Sequence, residues 1–460
     1  MMDTRYVLES IEKGEFDHNF IDVYVDIEQL EYQRSRYANA IMKFEEYYGN
    51  GDIKIFSAPG RSEIGGNHTD HQNGKVLACA INMDAIGIVE KVKDEEVRII
   101  SDGSEEIVVD ITDLSIREEE KGSTLALIKG VLAEFRNKEY QIGGFHAYIT
   151  SDVLIGSGVS SSAAFETLIG TILSGLYNKM TVSPIDIAMI GQFAENIYFG
   201  KPCGLMDQMA CSLGSLAYID FANPQKPFVE KISFDLEKFG YSLCIIDTKG
   251  SHADLTDEYA AVPEEMKCVA HYFGKEVLLD VSLDDLLSNI VEIRNVLSDR
   301  CILRALHFLT ENQRVEEEVN ALKERNVDVF LENVKASGNS SYKFLQNVYS
   351  TKNVYQQNVS LALALSENVL GNKGVCRVHG GGFAGTIQAF VKNDVVANIP
   401  PFTLSVSITH LNLLNSCRPR LFKIWLRHVA CEILVLQPVI KLIPPAFEVQ
   451  SLNLWTTREV

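Results

Sequence analysis

Apolar residues recur along this chain at two periods, and those periods predict its elements. The first fifty residues are acidic and helical in pattern, with Tyr37, Ile41, Phe44 and Tyr48 on one stripe. Short runs at 53–57, 76–81, 97–100 and 145–150 read as strands. Ala164, Leu168, Ile172 and Leu176 return to helical spacing and predict a helix that faces a core. The next helix has the clearest start signal, with Ser183 as N-cap, Pro184 at the first helical position and Asp186 three residues after the cap. It is expected to run to Phe199 and stop at Gly200. A short helix at 204–211 and a strand at 216–219 follow. Strands at 242–247 and 386–391 flank helices expected between 264 and 324, and no internal repeat is visible. Helices and strands mixed without regular alternation predict an α+β fold in two domains, 1–215 and 216–398.

Beyond residue 398 both periods fade. Residues 399–460 hold six of the twelve prolines and both tryptophans, and carry six Lys/Arg against three Asp/Glu. The preceding 398 residues carry 36 against 59. This reversal predicts an atypical tail, replaced or frame-shifted relative to the rest of the chain. A chain of 460 residues is long enough for two substantial cores, and 46% hydrophobic with 23% charged residues is ordinary for a globular protein. A net charge of −20 argues against a nucleic-acid partner but not against a nucleotide, whose phosphates are held locally. Nine scattered cysteines, no two at CxxC spacing, suggest neither a zinc site nor a redox pair. No segment reads as a signal peptide or a membrane span, since Lys423, Arg427, Glu432 and Lys441 break the apolar tail. The expectation is a soluble cytoplasmic protein, monomeric and without a membrane partner.

Three glycine-rich segments carry the candidate chemistry, at 60–74, 155–164 and 377–385. The second is a small-residue loop opening a helix, where free backbone N–H groups and the helix dipole suit phosphate oxygens. Hydroxyls of Ser160, Ser161 and Ser162 could bond phosphate or magnesium, or merely cap the helix. Glu195 lies on the apolar stripe of its helix, with Ile185, Ala188, Gln192 and Phe199. An inward carboxylate needs a partner, either a magnesium ion or a buried cation. Asp207 lies near the start of a short helix, where a cap is the plain reading, and Arg61 taken alone reads as a surface ion pair.

In this order the three segments resemble the galactokinase branch of the GHMP small-molecule kinases. The sharpest match is Pro202-Cys203-Gly204-Leu205-Met206-Asp207-Gln208. The resemblance covers roughly residues 30–398 and implies a ribosomal-S5-like N-terminal domain, a ferredoxin-like C-terminal domain and an active site between them. It implies ATP-dependent phosphorylation of the anomeric hydroxyl of galactose, giving galactose 1-phosphate and ADP, with ATP and Mg2+ required. Asp207 and Arg61 would be catalytic. Gly156, Ser157, Gly158, Val159, Ser160, Ser161 and Ser162 would cradle the phosphates. Ser161 or Ser162 with Glu195 would hold the metal, and Asn67, His68, Asp70 and Tyr259 would read the sugar.

Several positions depart from the family pattern. Asn67 replaces the usual glutamate, Glu63 the usual asparagine, and His71 the usual tyrosine. Asn67 and His71 keep alive a kinase for another sugar, N-acetylgalactosamine or arabinose; a non-catalytic sugar sensor is the other alternative. His379 stands where threonine or serine is usual, and no chemistry is assigned to it. A helix and a closing strand are expected after the third segment, and neither can be read in the tail.

Overall fold

The computed structural model describes residues 3–24, 27–153, 158–250, 255–396 and 432–436. Three N-terminal helices, α1 (Thr4–Glu12), α2 (Asp17–Tyr24) and α3 (Leu30–Tyr48), precede the first sheet. That sheet is built on two long strands, β1 (Ile53–Gly65) and β2 (Lys75–Lys91), which pair antiparallel along most of their length. It is completed by β3 (Glu96–Ser101), β4 (Ile107–Asp110), β5 (Phe145–Ser151), β6 (Ala217–Asp220) and β7 (Phe228–Lys231). The order is β4-β3-β5-β2-β6-β7, with β1 also on β2, and only β3 and β5 among the described pairs run parallel. The boundary expected at 215 therefore falls two residues before a strand that bonds to β2, and the first sheet continues to Lys231.

Alternation along β2 sorts the two faces. Ala85 and Val89 join Phe56, Leu168 and Ile172 under α4 (Thr124–Asn137), α5 (Ser161–Tyr177) and α6 (Pro184–Phe193). Ile86 and Ile88 face the other way, into Tyr37, Ile41 and Phe44 of α3. The stripe expected on that helix is thus its buried face, and each such apolar side chain adds roughly 1.5–3 kcal/mol of transfer free energy. Both long strands outrun their predicted limits of 57 and 81, for one reason. Polar residues that read as strand ends are buried against specific partners. Asp84, inside β2, accepts from Arg36 Nη1 at 2.6 Å and Tyr24 Oη at 2.8 Å, both supplied by the N-terminal helices.

The second sheet has the order β11-β8-β10-β9, antiparallel throughout, with β8 (Tyr241–Gly250), β9 (Gly374–Val378), β10 (Gly385–Lys392) and β11 (Glu432–Leu436). The strands expected at 242–247 and 386–391 are β8 and β10. No closing strand was legible in the tail, yet β11 pairs with Leu243–Asp247 of β8. The other residues beyond 396, which include almost all of the expected atypical tail, lie outside the described residues. Helix α7 (Met206–Leu213) precedes β6. Between β8 and β9 run α8 (Thr256–Tyr272), the short α9 (Leu283–Ser288) and α10 (Ile290–Arg294), then α11 (Asp299–Lys323), α12 (Val327–Ser340) and α13 (Asn358–Leu370). Val315, Val319 and Leu322 of α11 share one buried cluster with Leu77 of β2 and with Leu243 and Ile245 of β8, so this helix packs the two sheets together.

Candidate active site

The first glycine-rich segment is the C-terminal half of β1 and the turn after it. Register shifts between Pro59 and Arg61, and between Glu63 and Gly65, interrupt its pairing with β2. Such bulges re-aim side chains. Arg61 is buried and reaches across to α7, where Nε and Nη2 donate to the two carboxylate oxygens of Asp207 at 2.7 and 2.8 Å. Its third nitrogen, Nη1, donates to the Gly158 carbonyl at 2.5 Å. One guanidinium thereby joins the first segment to the second and to the Pro202–Gln208 match.

Asp207 sits in the first turn of α7 and caps nothing there. Burial works against its charge, but the Arg61 guanidinium, the fork of hydrogen bonds and the Ser160 hydroxyl outweigh burial and hold its carboxyl down at about 2. Its side chain is still 32% exposed. Beside it, Ser160 begins α5 with a left-handed backbone, φ 59°. The Ser160 hydroxyl serves Asp207 rather than capping the helix, and the first intrahelical bond is Ala164 N to Ser160 O. The N–H groups of Ser161, Ser162 and Ala163 therefore precede the helical ladder. Gly158 adopts φ +72°, and a Cβ there would come within 2.7 Å of Thr386 Oγ1. The loop is pressed against β10 too closely for a side chain. Val159 is buried, and its carbonyl accepts from Arg61 N at 3.1 Å. Gly156 and Ser157 lie outside the described residues.

The helix from Ser183 begins as predicted, with the Ser183 hydroxyl accepting from Asp186 N at 3.0 Å, and the chain leaves it at Gly200 in a left-handed conformation. Its last turn differs. Residues Ala194–Phe199 form a π-helical segment, a device common at functional sites. Glu195, buried in that turn, faces Ser162 Oγ at 3.3 Å, Lys201 Nζ at 3.1 Å and Gln208 Nε2 at 2.8 Å. Two further residues escaped the sequence reading. Glu166, one helical turn after Ser162, shares the Gln208 amide at 3.1 Å, and burial followed by the nearby Glu195 charge pushes its carboxyl well up. A lone acid inside the apolar run of α5 is the signal that could have found it. Lys201 was the other, an exposed ammonium paired with Glu195. Among the described residues, no group of three His, Cys, Asp or Glu side chains is arranged to hold a metal on its own.

The expected sugar-reading residues separate into two kinds. His68, with φ 60°, is half-buried, and its Nε2 donates to the Gly381 carbonyl at 3.0 Å. Burial lowers its imidazole to about 3, so it is neutral and Nδ1 is an acceptor. Asp70 takes the His71 N–H at 3.0 Å and lies over Gly204, where a Cβ would stand 1.7 Å from Oδ2. That docks it three residues before Asp207. Tyr259 donates to the Gly382 carbonyl at 2.7 Å and meets Phe383 edge-on at 5.3 Å. Asn67 is the correction. It has no exposed surface, and its carboxamide is engaged with Glu63, Gly380, Ser341 and Asn347, so it presents nothing to a sugar. His379 is buried between Ser62 Oγ at 3.1 Å and Thr386 Oγ1 at 3.0 Å, again with protein partners.

Known proteins match this chain across the same regions. The galactokinase galactose-binding signature matches residues 42–91, and the GHMP kinases N terminal domain matches residues 126–215. A galactokinase of Glaesserella parasuis serovar 5 is 31% identical over 361 residues, covering 77% of this chain and 89% of the relative. One of Actinobacillus pleuropneumoniae is 31% identical over 367 residues, covering 78% and 91%. The crystal structure of Lactococcus lactis galactokinase complexed with galactose has the same fold, with a TM-score of 0.72 at 22% identity, covering 88% of this chain and 98% of that one. Methanococcus jannaschii mevalonate kinase shares it more distantly, with a TM-score of 0.55 at 16% identity and coverage of 84% and 99%. Signature, relatives and fold agree, and the chain belongs to the galactokinases of the GHMP kinase family.

Proposed function

We propose that this chain carries out the galactokinase reaction of its family through Asp207 and Arg61. The γ-phosphoryl group of ATP passes to the anomeric hydroxyl of galactose. A bond forms between that oxygen and γ-phosphorus, the bridge to the β-phosphate breaks, and the hydroxyl proton goes to the Asp207 carboxylate. ADP and galactose 1-phosphate leave. The observation that carries this reading is the two-pronged Arg61–Asp207 pair, which keeps a partly exposed carboxylate ionised beside the start of α5. Orienting and deprotonating a hydroxyl is worth about 10²–10⁴ in rate, and Arg61 is placed to offset charge on the transferring group. The N–H groups opening α5 and the hydroxyls of Ser161 and Ser162 suit the phosphates. His68 through Nδ1, Asp70 as an acceptor and Tyr259 would hold the sugar.

Magnesium would lie at Ser162 and Glu195, with Ser161 adjoining. The donors fit the ion: both are hard oxygens, 3.3 Å apart, and Mg2+ takes most of its remaining ligands from water and phosphate. When bound, it would supply charge neutralisation for the phosphates. Lys201, now against Glu195, has a 63% exposed side chain and can move aside. A cytoplasmic setting is part of the proposal. It is supported by the composition and by free cysteines at all seven described positions, and no helix among the described residues is long and apolar enough to cross a membrane.

ADP release with Mg-ATP across galactose, N-acetylgalactosamine, arabinose and glucose tests the reading. Galactose-dependent turnover is expected, with Glu195→Gln raising the Mg2+ concentration needed. Turnover confined to another sugar would overturn the substrate, and turnover unaffected by Glu195→Gln would remove the metal assignment.

A further inference from the structure

The stretch between Arg61 and His68 is held by a buried cluster to which the reaction gives no role. Glu63 pairs with Arg377 of β9, both with almost no exposed surface. Arg377 also donates to the Ile64 carbonyl at 2.8 Å. Asn67 then closes the cluster. Its amide nitrogen donates to both Glu63 oxygens at 3.1 Å and to the Gly380 carbonyl at 2.8 Å. Its amide oxygen accepts from Asn347 Nδ2 at 2.8 Å and Ser341 Oγ at 3.2 Å, and its backbone carbonyl accepts from His307 Nε2 at 2.9 Å.

Protein partners thus dictate the residue type at 67. One end must donate to a carboxylate and a carbonyl, and the other must accept from an amide and a hydroxyl. A carboxylate there would face Glu63 and the Gly380 carbonyl with no proton to offer. An apolar residue would leave buried groups unpaired on every side. The position in the chain matters as much. Arg61, two residues before Glu63, reaches Asp207, and His68, the residue after Asn67, turns to Gly381.

We propose that Glu63, Asn67 and Arg377 form a positioning clamp for the galactokinase reaction, setting where Arg61 meets Asp207 and where His68 meets the sugar, while the side chain at 67 reads no sugar hydroxyl. The inference rests on the reaction proposed above. It replaces a specificity role for Asn67 with a geometric one, and it ties the third glycine-rich segment to catalysis through the Gly380 carbonyl and Arg377.

The test is steady-state kinetics of the full chain with Mg-ATP on galactose and its 2-, 4- and 6-deoxy derivatives. Wild type is compared with Asn67→Ala, Asn67→Asp, Glu63→Gln and the Asn67→Ala/Glu63→Gln double variant, with melting curves for each. The clamp requires kcat to fall about tenfold or more in each folded single variant, on every sugar the wild type uses. Relative kcat/KM among the sugars should stay within about twofold. The double variant should be no more than about twofold worse than the worse single one, because the two act as a unit. Glu63→Gln, which keeps the size at 63 and puts no new charge beside Asn67, decides the matter should the Asn67 variants fail to fold. Discrimination against a single deoxy position that vanishes in the Asn67 variants would overturn the proposal, as would folded variants with unchanged kcat. Silence from the wild type overturns the reaction and this inference with it, whereas an active wild type with indifferent variants overturns the inference alone.

Discussion

Asp207 shows how neighbours set the chemistry of one carboxylate. Burial alone would raise its pKa, yet two bonds from Arg61 and one from Ser160 leave it ionised with a titration near 2. Asp207→Asn keeps the size and an acceptor for Arg61 but cannot take a proton. We expect kcat to drop by about 10²–10⁴ with little change in the melting midpoint, measured by ADP release and calorimetry. The same shift has a sign in stability. A carboxyl ionising near 2 in the fold and near ~3.9 when unfolded stabilises the protein above pH ~4 and loses that contribution as pH falls toward 2. Urea midpoints from pH 5 to 2 should therefore show the gap between wild type and Asp207→Asn narrowing through that window. The Asp207 side of the pair is partly exposed, which screens the contribution and keeps the gap small. His68 runs by the other rule. Its imidazole titrates near 3 in the fold against about 6.5 when free, so keeping it neutral costs stability that grows as pH falls below 6.5. His68→Gln should flatten that part of the profile.

At the scale of elements, the site is made where three of them end or break. Helix α5 starts beside Asp207, the π-helical turn after α6 turns Glu195 inward, and α7 opens with Asp207 in its first turn. Gly204, just before α7, lets the Asp70 carboxylate lie against the backbone. Gly204→Ala should push Asp70 away, raising KM for galactose several-fold, by about 1 kcal/mol or more of lost binding, with kcat less affected and the fold intact. An unchanged KM would remove Asp70 from the sugar site. The two ends of the helix from Ser183 were readable because caps are local chemistry, a hydroxyl before a proline and a glycine after the last turn. The π turn was not, because it inserts one residue without changing composition.

For the whole molecule, the second sheet has β11 as its outer strand on β8. Removing residues after 398 would uncover five paired positions along that edge. The shortened chain should melt lower by about 5 °C or more and aggregate more readily, read by light scattering during a thermal ramp. An equal midpoint would show that the tail adds nothing to stability. Helix α11 gives the sheets a common wall, placing Glu311 under Gly66 N and His307 under the Asn67 carbonyl. The active site depends on that wall although no residue of α11 was a candidate.

The sequence by itself determined the class of fold, the order of most elements and the three glycine-rich segments, and it singled out Arg61, Asp207, Glu195, His68 and Asp70 as candidates. These are legible because periodicity, caps and motif spacing are properties of neighbouring residues. Tertiary structure alone decided where strands ended and which polar residues are turned into the protein. Ser62, Glu63 and Asp84 look like loop or surface residues, and they sit inside strands because Arg36, Arg377 and His379 arrive from elsewhere in the chain to satisfy them. Asn67 reads as a sugar contact beside His68 but is turned into the protein by partners some 270–310 residues away. A hydrogen bond satisfies a buried group whatever the separation in sequence, so the partners of such groups are settled only when the chain is folded.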